Sequence, residues 1–295
     1  MVHLKLCLQF CSTCRKTVAA SLSKINIGSG SLWQLERTDL DKNMTNEAIE
    51  KTIFDLKETI SQTLMTPTNK AGWPFIIGFA IVSVILAMIS SFLGWIGLIL
   101  TLWCLYFFRD PVRMVPVGDG LVISPADGRV TDVAEGVPLP KELRADPLDG
   151  NDEDGDFTRV SIFLSVFDVH VNRIPAAGTI KKIVYRPGLF LNAGNERASI
   201  ENERCAALLD LTDGRELAFV QIAGLIARRI ICDAKEGDAV KAGDRYGLIR
   251  FGSRMDIYLP KGVTAQVAIG QRAIGGETIL ADLNGAQAAR TAQAV

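Results

Sequence analysis

A glycine–serine pair near the C-terminal end of the chain has the residue types for a backbone rearrangement. Gly252 has no side chain, so its carbonyl is open to close approach, and Ser253 places a hydroxyl one residue away. Attack of this hydroxyl on the carbonyl would convert the peptide into an ester, and β-elimination would leave an α-keto group in place of Ser253. The pair also separates two strand-like runs, so by itself it equally indicates a tight turn or bulge.

Two further side chains could move protons for such chemistry. His170 is the only histidine beyond residue 3, and the ordinary pKa of histidine lies near neutrality, which suits proton transfer or activation of Ser253. Asp127 precedes a glycine and could be an acid or an ordinary Asp-Gly turn residue. A lone histidine is also often a hydrogen-bonded structural residue, so position in the fold must decide.

Composition limits the class of protein. The 295 residues suffice for one large or two modest domains, and the net charge of −1 provides no broad basic field, so nucleic acid is not an expected partner. Six cysteines are too few for a disulfide-stapled domain. Cys7, Cys11 and Cys14 have the spacing of some iron–sulfur ligands, but no strand–helix units follow them. The acidic loop from Asp146 to Asp156 lacks the ligand order of an EF-hand, and no metal site is predicted.

The chain divides into four segments. Residues 1–43 are interpreted as a disordered extension or as the result of a start assigned upstream of Met44. Residues 44–70 contain an amphipathic helix over 45–65 and a linker. Residues 71–108 carry no charge, and residues 109–295 form the remaining domain.

The uncharged segment is predicted to be a membrane hairpin. A single helix over 71–108 would be about 57 Å long, well beyond a hydrocarbon core of about 30 Å, and residues 90–95 provide a break. Lys70 precedes the segment and Arg109 and Arg113 follow it, which favours both ends in the cytoplasm. The alternative is a buried hairpin of a soluble protein.

Beyond the hairpin the sequence becomes β-rich. Alternating runs at Gly128–Val133, Gly178–Val184 and Leu217–Ile222 lie between dense turn signals. The fold class is therefore predicted to be mainly β, with a barrel-sandwich-like domain behind an N-terminal helical hairpin.

Several motifs occur together in one order, and they carry a family resemblance. They are Ser124–Gly128 around Asp127, Val169–Arg173 around His170, Tyr185–Gly188, Glu201–Arg204 and Arg250–Ser253. From about Phe107 to Leu280 the chain resembles the phosphatidylserine decarboxylase proenzymes in their short bacterial form.

The resemblance implies a pyruvoyl-dependent decarboxylase that converts phosphatidylserine into phosphatidylethanolamine and CO2. Its cofactor would be pyruvate, as a covalent pyruvoyl group derived from Ser253. Self-cleavage after Gly252 would give a β chain, 1–252, and an α chain, 253–295, which remain associated. The lipid substrate implies attachment to the phospholipid membrane, on the cytoplasmic face of the bacterial inner membrane.

The resemblance also implies site residues. Ser253, His170 and Asp127 take the catalytic and self-processing roles. Longer family members carry a second histidine, and Arg173 stands at that position here. A relay built on that histidine therefore does not carry over. The expected substrate-binding residues include Asn192 and Asn202, which the resemblance suggests. Arg173, Arg186 and Arg204 are added because guanidinium groups bind phosphate and carboxylate, although arginines solvated at the surface are an equal alternative.

Two other functions remain open from the sequence. A pyruvoyl decarboxylase of a free amino acid would leave the hairpin unexplained. A membrane-anchored, non-catalytic barrel-sandwich adaptor would remain one intact chain without a carbonyl group. Whether the chain forms a homo-oligomer is also open.

Overall fold

The computed structural model describes residues 66–144, 157–191, 197–224, 229–250 and 253–285. Several predictions fall outside the described residues and are not addressed by the structure: the helix over 45–65, the start at Met44, the three N-terminal cysteines and the acidic loop Asp146–Asp156.

Two apolar helices form the N-terminal part of the described chain. After a short 3-10 turn at Lys70–Gly72, α1 covers Trp73–Ile89 and α2 covers Ser91–Phe107. Ser90 has an extended backbone, which ends α1, so the break lies at the start of the predicted 90–95 stretch. The helices fold back on each other: a Cβ on Gly97 would lie 2.7 Å from Ser83 Oγ, so a small residue is needed where the helices approach.

The hairpin leaves most of its apolar surface exposed. Met88 is 84% exposed and Phe92 is 70% exposed, whereas a buried core hairpin would cover such side chains. In the part of the chain that the structure describes, one helical segment, Lys70–Ile89, is long and apolar enough to cross a membrane. The second helix, Ser91–Phe107, is shorter.

Beyond the hairpin, the described residues contain thirteen strands and one short helix, α3 (Ala198–Glu201). The strands are β1 Leu121–Ile123, β2 Gly128–Val137, β3 Phe157–Leu164, β4 Val171–Arg173, β5 Gly178–Arg186, β6 Arg204–Leu211, β7 Glu216–Ile222, β8 Arg229–Cys232, β9 Ala239–Val240, β10 Arg245–Arg250, β11 Ser253–Leu259, β12 Arg272–Ala273 and β13 Ile279–Asp282. A second 3-10 turn lies at Lys141–Leu143. The three alternating runs that the sequence analysis identified all lie in strands, which confirms the mainly β fold.

The strands form three antiparallel sheets. An eight-stranded sheet has the order β12-β2-β3-β11-β7-β6-β5-β9, a three-stranded sheet has the order β4-β10-β8, and β1 pairs with β13. The main apolar core draws side chains from all three sheets, for example Ile257 from β11, Ile249 from β10 and Leu280 from β13. The large sheet is therefore covered on one face by the two smaller ones, as in a sandwich.

The base of the hairpin packs on the three-stranded sheet. Phe107 and Phe108, at the end of α2, are fully buried against Val171 of β4 and Leu248 of β10. Backbone hydrogen bonding joins the two ends of the hairpin, since Asn69 N–H donates to the Phe108 carbonyl at 2.8 Å. The base of the hairpin therefore lies beside β4 and β10. His170 directly precedes β4, and β10 ends three residues before Ser253.

Candidate active site

Ser253 begins the central strand of the large sheet. β11 pairs with β3 on one side and β7 on the other, and Ser253 lies opposite Leu164. The residue is fully buried, and its Oγ has no hydrogen-bond partner among the described residues. An unpaired buried hydroxyl carries a desolvation cost, so native structures rarely keep one without a reason. Ser253 is thus the kind of orphaned polar group that marks a reactive position.

His170 lies immediately before β4 and is also fully buried. Its Nδ1 is 2.9 Å from the Asp168 carbonyl oxygen, and its ring centroid is 4.4 Å from that of Phe107. Because a carbonyl only accepts, Nδ1 must carry the hydrogen. Burial lowers the pKa of His170 to about 4, so the ring is neutral near pH 7. Nε2 then has a lone pair, which suits a proton acceptor.

The loop between β3 and β4 holds that histidine in place. Asp168 Oδ2 accepts from the Ser165 backbone N–H at 2.8 Å and from Ser165 Oγ at 2.7 Å, and Oδ1 accepts from Arg272 at 2.6 Å. These bonds fix the carbonyl that orients His170. Asp168 was missed by the sequence analysis, although its spacing from Ser165 is the pattern of a side-chain-capped turn.

Asp127 lies in the turn before β2 and forms a buried ion pair. Arg113 Nη2 donates to its Oδ2 at 2.7 Å, and the Gly275 N–H donates to its Oδ1 at 2.7 Å. A Cβ on Gly275 would lie 3.0 Å from the Ala126 carbonyl carbon, so this approach favours glycine. Burial raises the pKa of Asp127, although Arg113 and the Gly275 N–H favour the charged carboxylate. Asp127 therefore bonds to Arg113 and Gly275, and not to Ser253 or His170.

A buried amide pair adds two more unmatched polar atoms near the start of β11. Gln221 Nε2 donates to Asn172 Oδ1 at 2.9 Å, whereas Asn172 Nδ2 and Gln221 Oε1 have no partner within the described ranges. Gln221 lies opposite Met255, two residues along β11 from Ser253 and on the same face. Gln221 was not predicted as a site residue, although a lone glutamine among the apolar residues of β7 is a signal in the sequence.

Arg173 stands at the second-histidine position, and other parts of the chain bind its guanidinium. Its Nη1 donates to the Gly243 carbonyl at 2.9 Å, and its Nη2 donates to the Pro111 carbonyl at 2.8 Å and lies 3.5 Å from Asp110. The guanidinium joins β4 to the chain that leaves the hairpin. Both Nη1 and Nη2 therefore donate to backbone carbonyls of neighbouring segments.

Comparison with known proteins identifies the family. A sequence profile of the family described as Phosphatidylserine decarboxylase matches residues 100–281. The chain belongs to the phosphatidylserine decarboxylase family. Proteins named phosphatidylserine decarboxylase proenzyme from Cereibacter sphaeroides and Paramagnetospirillum magneticum are each 52% identical over 232 residues, which cover 79% of this chain and 97% and 93% of theirs. A protein of the same name from Beijerinckia indica is 51% identical over 222 residues, 75% of this chain and 91% of its own.

In this phosphatidylserine decarboxylase family member, two expected substrate residues lie away from Ser253. Arg204 lies on the same face of β6 as Ala206 and Leu208, which belong to a second apolar cluster. This face is on the opposite side of the sheet from Ser253. The Arg204 guanidinium donates to Glu142 and to the Ile200 carbonyl. Arg186 Nη1 is 3.7 Å from the same Glu142, and both arginines line a cavity of about 620 Å³ on this outer face.

Asn202 is committed to backbone groups. Its Oδ1 accepts from the Leu191 N–H at 2.9 Å, and its Nδ2 donates to the Leu191 and Ala223 carbonyls at 2.9 and 2.7 Å. It therefore anchors the chain that leads to Asn192. Asn192 itself and Gly252 lie outside the described residues.

Proposed function

We propose that the protein decarboxylates phosphatidylserine to phosphatidylethanolamine and CO2 with a pyruvoyl group made from Ser253. The observation that carries the proposal is the fully buried Ser253 hydroxyl, which no described residue binds, at the start of the central strand in a chain of this family. A hydroxyl held by no hydrogen bond can turn toward the preceding peptide. Family membership supports the choice of substrate.

Ser253 itself undergoes the processing reaction. Its Oγ attacks the Gly252 carbonyl, the peptide C–N bond breaks, and an ester joins Gly252 to Ser253. Loss of the α-proton and of the ester oxygen releases Gly252 as a carboxylate and leaves a dehydroalanine. Addition of water and loss of ammonia from this residue give the ketone. Since β11 pairs with strands on both sides, the α chain 253–295 stays in the sheet after the cut.

The residues near Ser253 fit a pyruvoyl group. A ketone accepts hydrogen bonds and donates none, and the unmatched Nδ2 of Asn172 is a buried donor in the same region. A pyruvoyl group supplies an electron sink for the electron pair that remains when CO2 leaves the amine-bearing carbon. Neutral His170 can exchange a proton at that carbon through Nε2, because Nδ1–H is held by Asp168.

The exposed hairpin supports membrane attachment. Its outward apolar side chains would be covered by lipid tails, and its base packs beside β4 and β10, close to the candidate site. Lys70 and Arg109 flank the helices, which favours both ends on the cytoplasmic face of the bacterial inner membrane. A free amino acid would not require this arrangement.

The first experiment is a denaturing gel and an intact mass of the purified protein. Two chains are expected, cut between Gly252 and Ser253, with the α chain lighter than its unmodified sequence by one ammonia. The Ser253→Ala variant should remain one chain and release no CO2 from phosphatidylserine. A wild-type chain that stays whole and inactive would contradict the proposal and favour a non-catalytic adaptor.

A further inference from the structure

Two arginines face each other across the last pair of strands before the cleavage site. Arg250 ends β10, Arg229 begins β8, and the two are directly opposite in the antiparallel register. Like charges at such positions repel. Within the described residues no ion pair joins either guanidinium to a carboxylate, so no described carboxylate neutralises these two positive charges.

The immediate surroundings of Arg250 strengthen this observation. Its Nε is buried and finds no hydrogen-bond partner in the part of the chain that the structure describes, and its guanidinium carbon lies 5.0 Å from the ring centroid of Phe75 in the first turn of α1. Burial and the charge of Arg229 both lower the pKa of Arg250. An anion bound here would relieve the repulsion and satisfy the donor.

The position of the pair limits which anion it receives. Phe75 belongs to the hairpin base, where the helices meet the β domain, so a membrane around the hairpin would place lipid head groups at this level. Arg250 is three residues before Ser253, so the two Cα atoms are at most about 11 Å apart. In phosphatidylserine only an oxygen and a methylene group separate the phosphorus from the amine-bearing carbon. A phosphate beside Arg250 would keep that carbon near residue 253.

The chemistry favours the phosphate over the carboxylate of the same lipid. A guanidinium bound to the carboxylate would stabilise a charge that disappears when CO2 leaves, which would raise the barrier. The phosphodiester keeps its charge throughout the reaction, so binding it positions the substrate without that cost.

We propose that Arg229 and Arg250 bind the phosphodiester group of the lipid substrate. This inference rests on the proposed function, because it assigns the anion of the same substrate. It makes the pair a specificity determinant for phosphorylated over phosphate-free serine amphiphiles.

The test compares two substrates in detergent micelles: short-chain phosphatidylserine and O-acyl-serine, which has the amine and carboxylate but no phosphate. Arg250→Gln and Arg229→Gln should lower kcat/KM for the phospholipid about ten- to a hundredfold, mainly through KM, and leave O-acyl-serine unchanged. Lys241→Gln, at an exposed residue of a distant turn, is the matched control and should change neither value. Equal losses on both substrates, or none, would overturn the assignment.

Two further measurements distinguish a failure of the phosphate-binding proposal from a failure of the proposed decarboxylase function. Because Arg250 is close to the cleaved bond, rates are normalised to the cut fraction on a gel, and Arg229→Gln supplies a variant outside that segment. Calorimetric binding of phosphatidylserine to uncut Ser253→Ala chains, with and without Arg250→Gln, requires no turnover. The arginine variant should bind at least about tenfold more weakly, and equal affinities would refute the proposal.

Inorganic phosphate distinguishes a lipid phosphate site from a site for a free anion. It should inhibit the wild-type enzyme in competition with the lipid, and this inhibition should weaken in both arginine variants. Inhibition that does not compete with the lipid would assign the pair to a free anion and overturn the proposal.

Discussion

At the scale of single residues, the protonation state of His170 decides what the site can do. The ring is buried, its Nδ1–H is bound to the Asp168 carbonyl, and its pKa is about 4. A neutral imidazole with a fixed tautomer offers one nitrogen for proton transfer. The cost is that the folded protein resists protonation of this residue. In the unfolded chain the pKa returns to its ordinary value of 6.5.

This difference predicts a pH-dependent stability. Between pH 6.5 and 4 the unfolded chain binds a proton at His170 that the folded protein does not, so stability falls as the pH falls through this range. From pH 7 to pH 5 the wild type should lose about 2 kcal/mol through this residue. That loss corresponds to roughly 4–8 °C in Tm. Thermal scans in detergent should show a smaller acid shift for His170→Gln, and an equal shift in both proteins would contradict the assignment.

At the scale of elements, the loop Ser165–Asp168 holds His170 in its position in the candidate site. It links β3, which pairs with the strand of Ser253, to β4, which follows His170. The Asp168 carboxylate accepts three hydrogen bonds, two from Ser165 and one from Arg272. The loop also receives a bond from Arg109 just beyond α2, whose Nη2 donates to the Phe167 carbonyl at 2.7 Å. The hairpin and the histidine are therefore connected through one short turn.

Asp168→Asn should loosen this support, because the amide has one acceptor oxygen in place of two. We expect a stability loss of about 1–3 kcal/mol and a lower kcat with a nearly unchanged KM, since the histidine is displaced and not the lipid. Asp213→Asn is the control: Asp213 also binds an arginine in a turn, at the exposed end of the β6–β7 hairpin. A drop in kcat of the same size in both variants would show that the loop has no special role.

At the scale of the whole molecule, an exposed apolar hairpin is joined to a β domain with a packed core. The large side chains that the hairpin buries, Ile76, Phe107 and Phe108, lie at its base. Much of the rest of the hairpin is exposed. Such an arrangement is costly in water and favourable in lipid. The β domain covers both faces of its central strand, so every residue of β11 is buried. The molecule thus places the candidate site next to a hairpin whose exposed apolar surface suits lipid.

A charge placed on the hairpin should weaken membrane insertion without changing the β domain. Val84 is 63% exposed near the middle of α1, and Val84→Asp should oppose insertion by about 2.5–3.5 kcal/mol. The variant should shift from the membrane fraction after carbonate washing. Val117→Asp, at a fully exposed position outside the helices, should remain membrane-bound. Retention of both variants to the same degree would argue against insertion of α1.

Much of the fold could be predicted because its signals are local. Uncharged length predicts the hairpin, Ser90 and its neighbours mark the break, and alternation predicts strands such as β2, β5 and β7. The order of short motifs predicts the family, which the comparisons confirm. These features depend on residues that are close in sequence.

The assembly of the site could not be read in this way, because it depends on strand pairing and on which face of a strand each side chain occupies. The amide pair Asn172–Gln221 joins residues that are 49 positions apart in sequence, and the anchoring of Asp168 by Arg272 spans 104 positions. Arg204 and Arg186 have the right chemistry for an anion, but their strands direct them to the outer face. A shift of one residue along a strand reverses the face, so composition alone does not decide it.

The sequence by itself therefore determined the candidate pair Gly252–Ser253, the lone central histidine His170 and the apolar hairpin, because each depends on residue type and near neighbours. Only the tertiary structure decided that His170 is neutral, that Asp127 is held by Arg113 and Gly275, and that Arg250 faces Arg229 with no ion pair to a carboxylate among the described residues. The physical reason is that burial and charge pairing are set by distant segments brought together in folding, and these in turn set the protonation of each group.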